Sequence, residues 1–207
     1  MPDKSSHLNF ARLYLSMAKE KYNSSAFILG ALAPDLVYEL EIELDYNDDE
    51  IKKYHFLDDD KNIDLIKFIK KTDISKTTDK LKKSFLIGYY CHLWYDNYFS
   101  YNSDKLIDSS IDSTEKKNVA VKNIKFYNVK ASKEYFDTLV IKNDHKDLDT
   151  FEFITFERVY DSYKKFREET KQMLENDAII LDKEKYEYFL NEAVLKFAEE
   201  VDHFEKQ

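Results

Sequence analysis

Glycine and proline are nearly missing from this chain of 207 residues, which contains only Gly30, Gly88, Pro2 and Pro34. Strands joined by tight turns consume both residue types, glycine for positive φ and proline for its preset φ. A chain this poor in them is predicted to be all-α, a multi-helix bundle. Its aromatic content, 16 Tyr and 15 Phe, supplies large apolar area for a helical core even though 35% of the residues are charged. Both halves share the same charged, aromatic-rich texture, with no internal repeat and no linker, so residues 1–207 read as a single domain.

The formal net charge of −9 opposes a general polyanionic partner, and no stable nucleic-acid complex is expected. No apolar run approaches the length needed to cross a bilayer, so no transmembrane segment is expected. The opening MPDKSSHLNF lacks the apolar stretch of a secretory signal. The expected location is therefore cytoplasmic. The single Cys91 cannot form an internal disulfide, which agrees with a reducing compartment.

Helical spacing of Leu8, Ala11, Leu15 and Ala18 predicts a helix from about Ser6 to Tyr22, with Ser5 or Ser6 as N-cap and His7 in the first turn. Asn23, Ser24 and Ser25 can start a second helix. It is expected to end near Pro34, because proline disfavours helical geometry at Ala33, and this leaves Asp35 at a bend. The acidic stretch 45–60 around His55 and Phe56 reads as a long loop or short helical turns. A near-continuously apolar helix is predicted from about Thr78 to Tyr98. Amphipathic helices follow near Glu115–Val129, Ser132–Ile141, Phe151–Leu174 and Lys183–Phe204.

Positions 88, 92 and 96 recur every four residues on the central helix, so Gly88, His92 and Asp96 share a face. Glycine there loses about 1 kcal/mol of helix propensity relative to alanine, so something bulky should occupy the space of its missing side chain. A metal ion with its water is one candidate occupant, and a close helix crossing is the other. Asp35 follows the small-residue run Gly30-Ala31-Leu32-Ala33-Pro34, His7 lies in a first turn where the helix dipole favours the neutral ring, and His55 sits in the acidic loop. Each is ordinary alone. Together they supply three imidazoles and two carboxylates, a ligand set suited to one zinc ion, or to two if a carboxylate bridges them. His145-x-x-x-Asp149 and Glu200-x-x-His203 have ligand spacing too, but read as a solvated turn and as decoration of the last helix.

Four stretches carry a resemblance: Met-Pro-Asp with Ser6-His7-Leu8; Phe27-Ile28-Leu29-Gly30-Ala31-Leu32-Ala33-Pro34-Asp35; His55-Phe56; and Phe85 through Gly88, Tyr89, Tyr90, Cys91, His92, Leu93, Trp94 and Tyr95 to Asp96. In this order they resemble the bacterial zinc-dependent phospholipase C family, an all-helical fold related to the zinc-dependent single-strand nucleases. The resemblance covers the N-terminal half. It implies that His7, Asp35, His55, His92 and Asp96 are metal ligands, with Asp96 shared between two zinc ions. The secreted members complete a third zinc site with a mature N-terminal amino group and a histidine-rich cluster after the H-x-x-x-D helix. Here no histidine follows Asp96 until His145, so one or two ions are expected rather than three.

The implied activity is hydrolysis of a phospholipid or another small phosphoester by metal-activated water, with Asp35 placed to orient the water or accept its proton. Two other readings remain: a non-catalytic protein with a structural zinc site, and a metal-free helical interaction protein. A di-iron carboxylate bundle would want two Glu-x-x-His words, and only the one at Glu200 is present.

Overall fold

The computed structural model describes residues 2–42, 53–106, 113–136, 141, 154–172 and 183–205. The fold is all-α. Among the described residues there are seven α-helices and no strand: α1 (Lys4–Ala18), α2 (Ser24–Ile42), α3 (Leu65–Thr72), α4 (Lys80–Asn102), α5 (Ser113–Phe136), α6 (Phe156–Gln172) and α7 (Lys183–Glu205). None of them is long and apolar enough to cross a membrane.

The starts of these helices follow from local chemistry. Asp3, rather than Ser5 or Ser6, caps α1: the N–H and hydroxyl of Ser6 both donate to Asp3 Oδ1, at 2.9 and 2.8 Å. At α2 the Ala26 N–H donates to Asn23 Oδ1 (3.0 Å), while the Asn23 N–H donates to Ser84 Oγ (2.9 Å), which ties this start to α4. Asp79 caps α4 by accepting from the Lys82 N–H. The expected break between Val129 and Ser132 does not occur, and α5 runs unbroken to Phe136. The short α3 is not among the expected helices, although Leu65, Phe68 and Ile69 stand at helical spacing; it is defined by Asp64 capping the Lys67 N–H (2.8 Å) and by Asp73 closing it at φ 49°.

Helix α2 also corrects the expectation of a stop near Pro34: it continues through the proline to Ile42, so Asp35 lies inside a helix rather than at a bend. Proline costs the bond that its own N–H would have donated to Gly30. Tertiary packing offsets this loss, since Ala31, Leu32 and Ala33 are fully buried.

Helices α2 and α4 form the central pair. A Cβ on Gly30 would fall on the carbonyl oxygen of Phe85, and one on Gly88 would fall on the carbonyl oxygen of Phe27. The two backbones therefore touch, each through the other's glycine. The space beside Gly88 is filled by α2 and not by a metal ion, which resolves that alternative in favour of the helix crossing. Around this pair, α1 packs on α2, α5 and α7, and α6 packs on α2. One connected cluster of buried side chains extends from Leu8 to Val201. Its centre is aromatic: Phe10 stacks on Tyr95 (4.2 Å between ring centroids), and Phe197 meets Phe10, Tyr14, Tyr90 and Trp94.

Candidate metal centre

The α2–α4 crossing decides where the polar side chains go. On α4, His92 and Asp96 are one turn apart and face the same way. Helix α2 lies against that face and brings Asp35, and α1 lies across it and brings His7. His55 comes from the turn that follows the short helical stretch 53–54. Residues 43–52 lie outside the described part, so the first half of the loop expected over 45–60 cannot be compared. Its second half is made of short turns.

All five side chains converge. His92 Nε2 lies 3.3 Å from His55 Nε2, 3.3 Å from Asp96 Oδ2 and 3.7 Å from Asp35 Oδ1. His55 Nε2 lies 3.4 Å from Asp35 Oδ1 and 3.9 Å from Asp96 Oδ2. Donors bound tetrahedrally at about 2.0–2.1 Å from one ion stand roughly 3.3–3.4 Å apart, so these separations are close to the edges of a zinc tetrahedron. His7, its ring stacked on that of His92 (3.6 Å between centroids), lies nearer the other oxygen of each carboxylate, 3.3 Å from Asp96 Oδ1 and 4.0 Å from Asp35 Oδ2. Two overlapping sets of donors could each hold an ion: His7, His92 and Asp96, and Asp35, His55 and His92.

Burial makes this arrangement expensive without a cation. His7, His55, His92 and Asp96 are buried, and only the Asp35 side chain, 21% exposed, reaches solvent. Both oxygens of Asp96, both ring nitrogens of His7 and Nδ1 of His55 lack a well-formed hydrogen bond among the described residues. A buried polar atom left in this state costs about 1–3 kcal/mol, and more if charged. The donor set therefore fits a divalent cation on an observation independent of spacing.

Protonation follows from the same burial. Burial raises the carboxyl pKa of Asp96, but the charges of His7 and His92 close beside it outweigh this and hold Asp96 below the ordinary range. Asp35 is likewise held low, burial being overcome by His92, His55 and His7. His7 is pushed down by burial and then by His92, so its neutral form is favoured by desolvation more than by the helix dipole invoked above. His92 ends above its ordinary value, burial being outweighed by Asp35 and Asp96.

Two supports of the site have no ligand-type signature in the sequence. The carbonyl oxygen of Ala31 lies 2.9 Å from His92 Nδ1, which puts the proton there and leaves Nε2 as the donor to the centre. The Tyr89 hydroxyl donates to the Tyr54 carbonyl (2.6 Å), which anchors the residue before His55. Phe56, just after it, holds φ at 53°, a region that bulky residues avoid; its ring is fixed against Phe68 and Tyr89. The secondary candidates take no part: Glu200 accepts from the Tyr90 hydroxyl (3.2 Å), Glu200 and His203 lie on an exposed face of α7, and neither joins a metal-capable group among the described residues. His145 and Asp149 lie outside the described residues.

Residues 6–99 match the family model of zinc-dependent phospholipase C, in agreement with the resemblance of the four stretches. The matched span takes in all five converging side chains and accounts for just under half of the chain. No curated protein and no solved structure matches the chain.

Proposed function

We propose that this chain, with its N-terminal half matching zinc-dependent phospholipase C, is a zinc-dependent phosphoric ester hydrolase acting on a phospholipid or a related small phosphoester. The observation that carries the reading is the two-sided use of the carboxylates. Asp96 directs Oδ2 to His92 and Oδ1 to His7, and Asp35 directs Oδ1 to His55 and Oδ2 towards His7. Asp35, His55, His92 and Asp96 would hold one ion with four donors. His7 with Oδ1 of Asp96 offers two donors for another, which leaves positions for water beside Asp35 Oδ2.

Zinc bound there supplies a water of lowered pKa and positive potential for a phosphoryl oxygen. The remaining work falls to the protein. Asp35, the one member of the set that reaches solvent, orients the attacking water and takes up its proton. Ala31 holds the His92 ring in the tautomer that points Nε2 inward. The neighbouring aromatic rings of Tyr95 and Phe10 keep bulk water from His7.

A second reading has one observation in its favour: the donors around His55 and His92 number four, and a closed four-donor site is the signature of structural zinc. Elemental analysis of the untagged protein separates the two, alongside a panel of phosphomonoesters, phosphodiesters and phospholipids and repeated with His92→Ala. Hydrolysis that disappears together with zinc in the variant supports the hydrolase. Stoichiometric zinc with no hydrolysis of any ester, and a fold that melts on chelation, supports the structural site. Full zinc retention by His92→Ala would overturn both.

A further inference from the structure

The charge of this acidic chain reverses in two stretches, 116–133 on α5 and 61–83, and among the described residues only the second also exposes a large aliphatic side chain. Residues 61–83 hold eight lysines against three aspartates, which leaves 24 basic and 38 acidic residues for everything else. Helix α3 is the exposed centre of that segment. Its buried side is Phe68, with Leu65, Ile69 and Thr72 half-buried beside it, and its outer side is Ile66, Lys67, Lys70 and Lys71. Ile66–Lys70 and Lys67–Lys71 are neighbours one turn apart, so the outer side is a single strip. With Asp64 these four residues line a shallow hollow of about 410 Å³.

Ile66 is 65% exposed, an unusual position for a large aliphatic side chain surrounded by lysines. The Nζ atoms of Lys67 and Lys70 make no ion pair among the described residues. The neighbouring acidic run does not neutralise the strip in full, because the Asp58 carboxylate is turned into its own loop, where it accepts from the N–H groups of Asp60 and Asn62.

We infer that the outer strip of α3 docks on an anionic phospholipid bilayer, with Ile66 entering the acyl boundary and Lys67, Lys70 and Lys71 reaching the phosphates. A basic face bearing one central aliphatic side chain matches such a surface in both charge and polarity. The negative net charge of the rest of the molecule favours an orientation with a basic face towards it, and of the two basic stretches only this one bears an exposed aliphatic side chain among the described residues. A nucleic acid fits less well: the segment has no arginine for bidentate phosphate contacts and no exposed aromatic ring for stacking bases. Docking would bear directly on the turn that carries His55, since Phe68 beneath the strip meets Phe56 edge to face (5.1 Å) and stacks on Tyr89 (5.2 Å).

The docking surface does not rest on catalysis, so its test reads binding alone. Zinc-loaded full-length protein is sedimented with vesicles of phosphatidylcholine, or of phosphatidylcholine and phosphatidylglycerol in equal parts, and a water-soluble phosphoester is assayed separately. The mixed vesicles should bind the protein and the neutral ones should not, with binding weakening as salt rises. Lys67→Ala and Lys70→Ala should each weaken binding about five-fold, as expected for one lysine near an anionic surface. Lys67→Glu with Lys70→Glu should abolish binding, and Ile66→Ser should weaken it several-fold; circular dichroism and soluble-ester hydrolysis should be unchanged in all of these variants. Equal binding to both vesicles, no binding to the mixed ones by folded protein, or insensitivity to the lysine variants would overturn the proposal, as would preference for an RNA oligonucleotide over mixed vesicles. If no ester is hydrolysed but mixed vesicles still bind through these lysines, the hydrolase reading fails and the docking surface stands.

Discussion

The carbonyl oxygen of Ala31 stands 2.9 Å from Nδ1 of His92, at the place where α2 crosses α4. One backbone atom thus sets the tautomer of an imidazole on another helix, and the helix crossing becomes part of the chemistry of the site. Anything that moves α2 against α4 by a fraction of an ångström should be felt at His92.

The glycine pair tests this. Gly88→Ala gains about 1 kcal/mol of helix propensity, yet its Cβ would fall on the Phe27 carbonyl, a backbone atom that cannot rotate away. Net destabilisation of about 2 kcal/mol or more is expected, with a matching loss of zinc affinity, and Gly30→Ala should behave alike. Denaturant unfolding and zinc titration provide the check; an alanine variant as stable as the parent would refute the close crossing.

Removing ligands one at a time should resolve the two sides of the carboxylates. His55→Ala should reduce occupancy of the four-donor side, whereas His7→Ala should leave that ion in place and cost only the second. Zinc counted by elemental analysis after dialysis reads this directly. Identical loss in both variants would mean a single ion shared by all five side chains.

Zinc binding should release a proton from His92. Its pKa in the folded metal-free protein lies above 6.5, so between 6.5 and that raised value the ring is protonated and the metal must displace the proton. The sign for stability is the same: the His92 contribution is fully present below 6.5 and fades as pH rises through the raised value. Asp96 acts in the opposite sense, contributing above the ordinary carboxylate range and failing only as pH falls through its lowered value. His7, shifted down, is already neutral and should release nothing near neutrality. Calorimetric zinc titration at pH 6.5, where a ring with a raised pKa is more than half protonated, in buffers of different ionisation enthalpy measures the proton, and a heat independent of buffer would contradict the assignment.

Tyr89→Phe removes the hydroxyl that holds the Tyr54 carbonyl without touching any ligand. A loss of about 1 kcal/mol in stability is expected, with weaker zinc binding through the His55 turn. Unchanged zinc affinity would show that Phe56 packing alone positions His55.

Much of this was legible in the residues. Scarce glycine and proline announced helices, and the four-residue spacing of Gly88, His92 and Asp96 announced a shared face. The four stretches that resemble the zinc-dependent phospholipase C family named the same five side chains that the fold gathers. Local rules failed where long-range packing outweighed them. Pro34 did not end α2, because burial of Ala31, Leu32 and Ala33 outweighs one missing hydrogen bond. The space at Gly88 went to a helix backbone. Leu65, Phe68 and Ile69 stand at helical spacing and did signal the short α3, whereas nothing local announced the Ala31 carbonyl. By itself the sequence determined the all-helical class and the inventory of ligand types, since both depend on side-chain chemistry and on spacing within a turn. Only the tertiary structure decided that the two sides of Asp96 and Asp35 face different imidazoles, because those distances are set by helices α1, α2 and α4, which meet through contacts far apart along the chain.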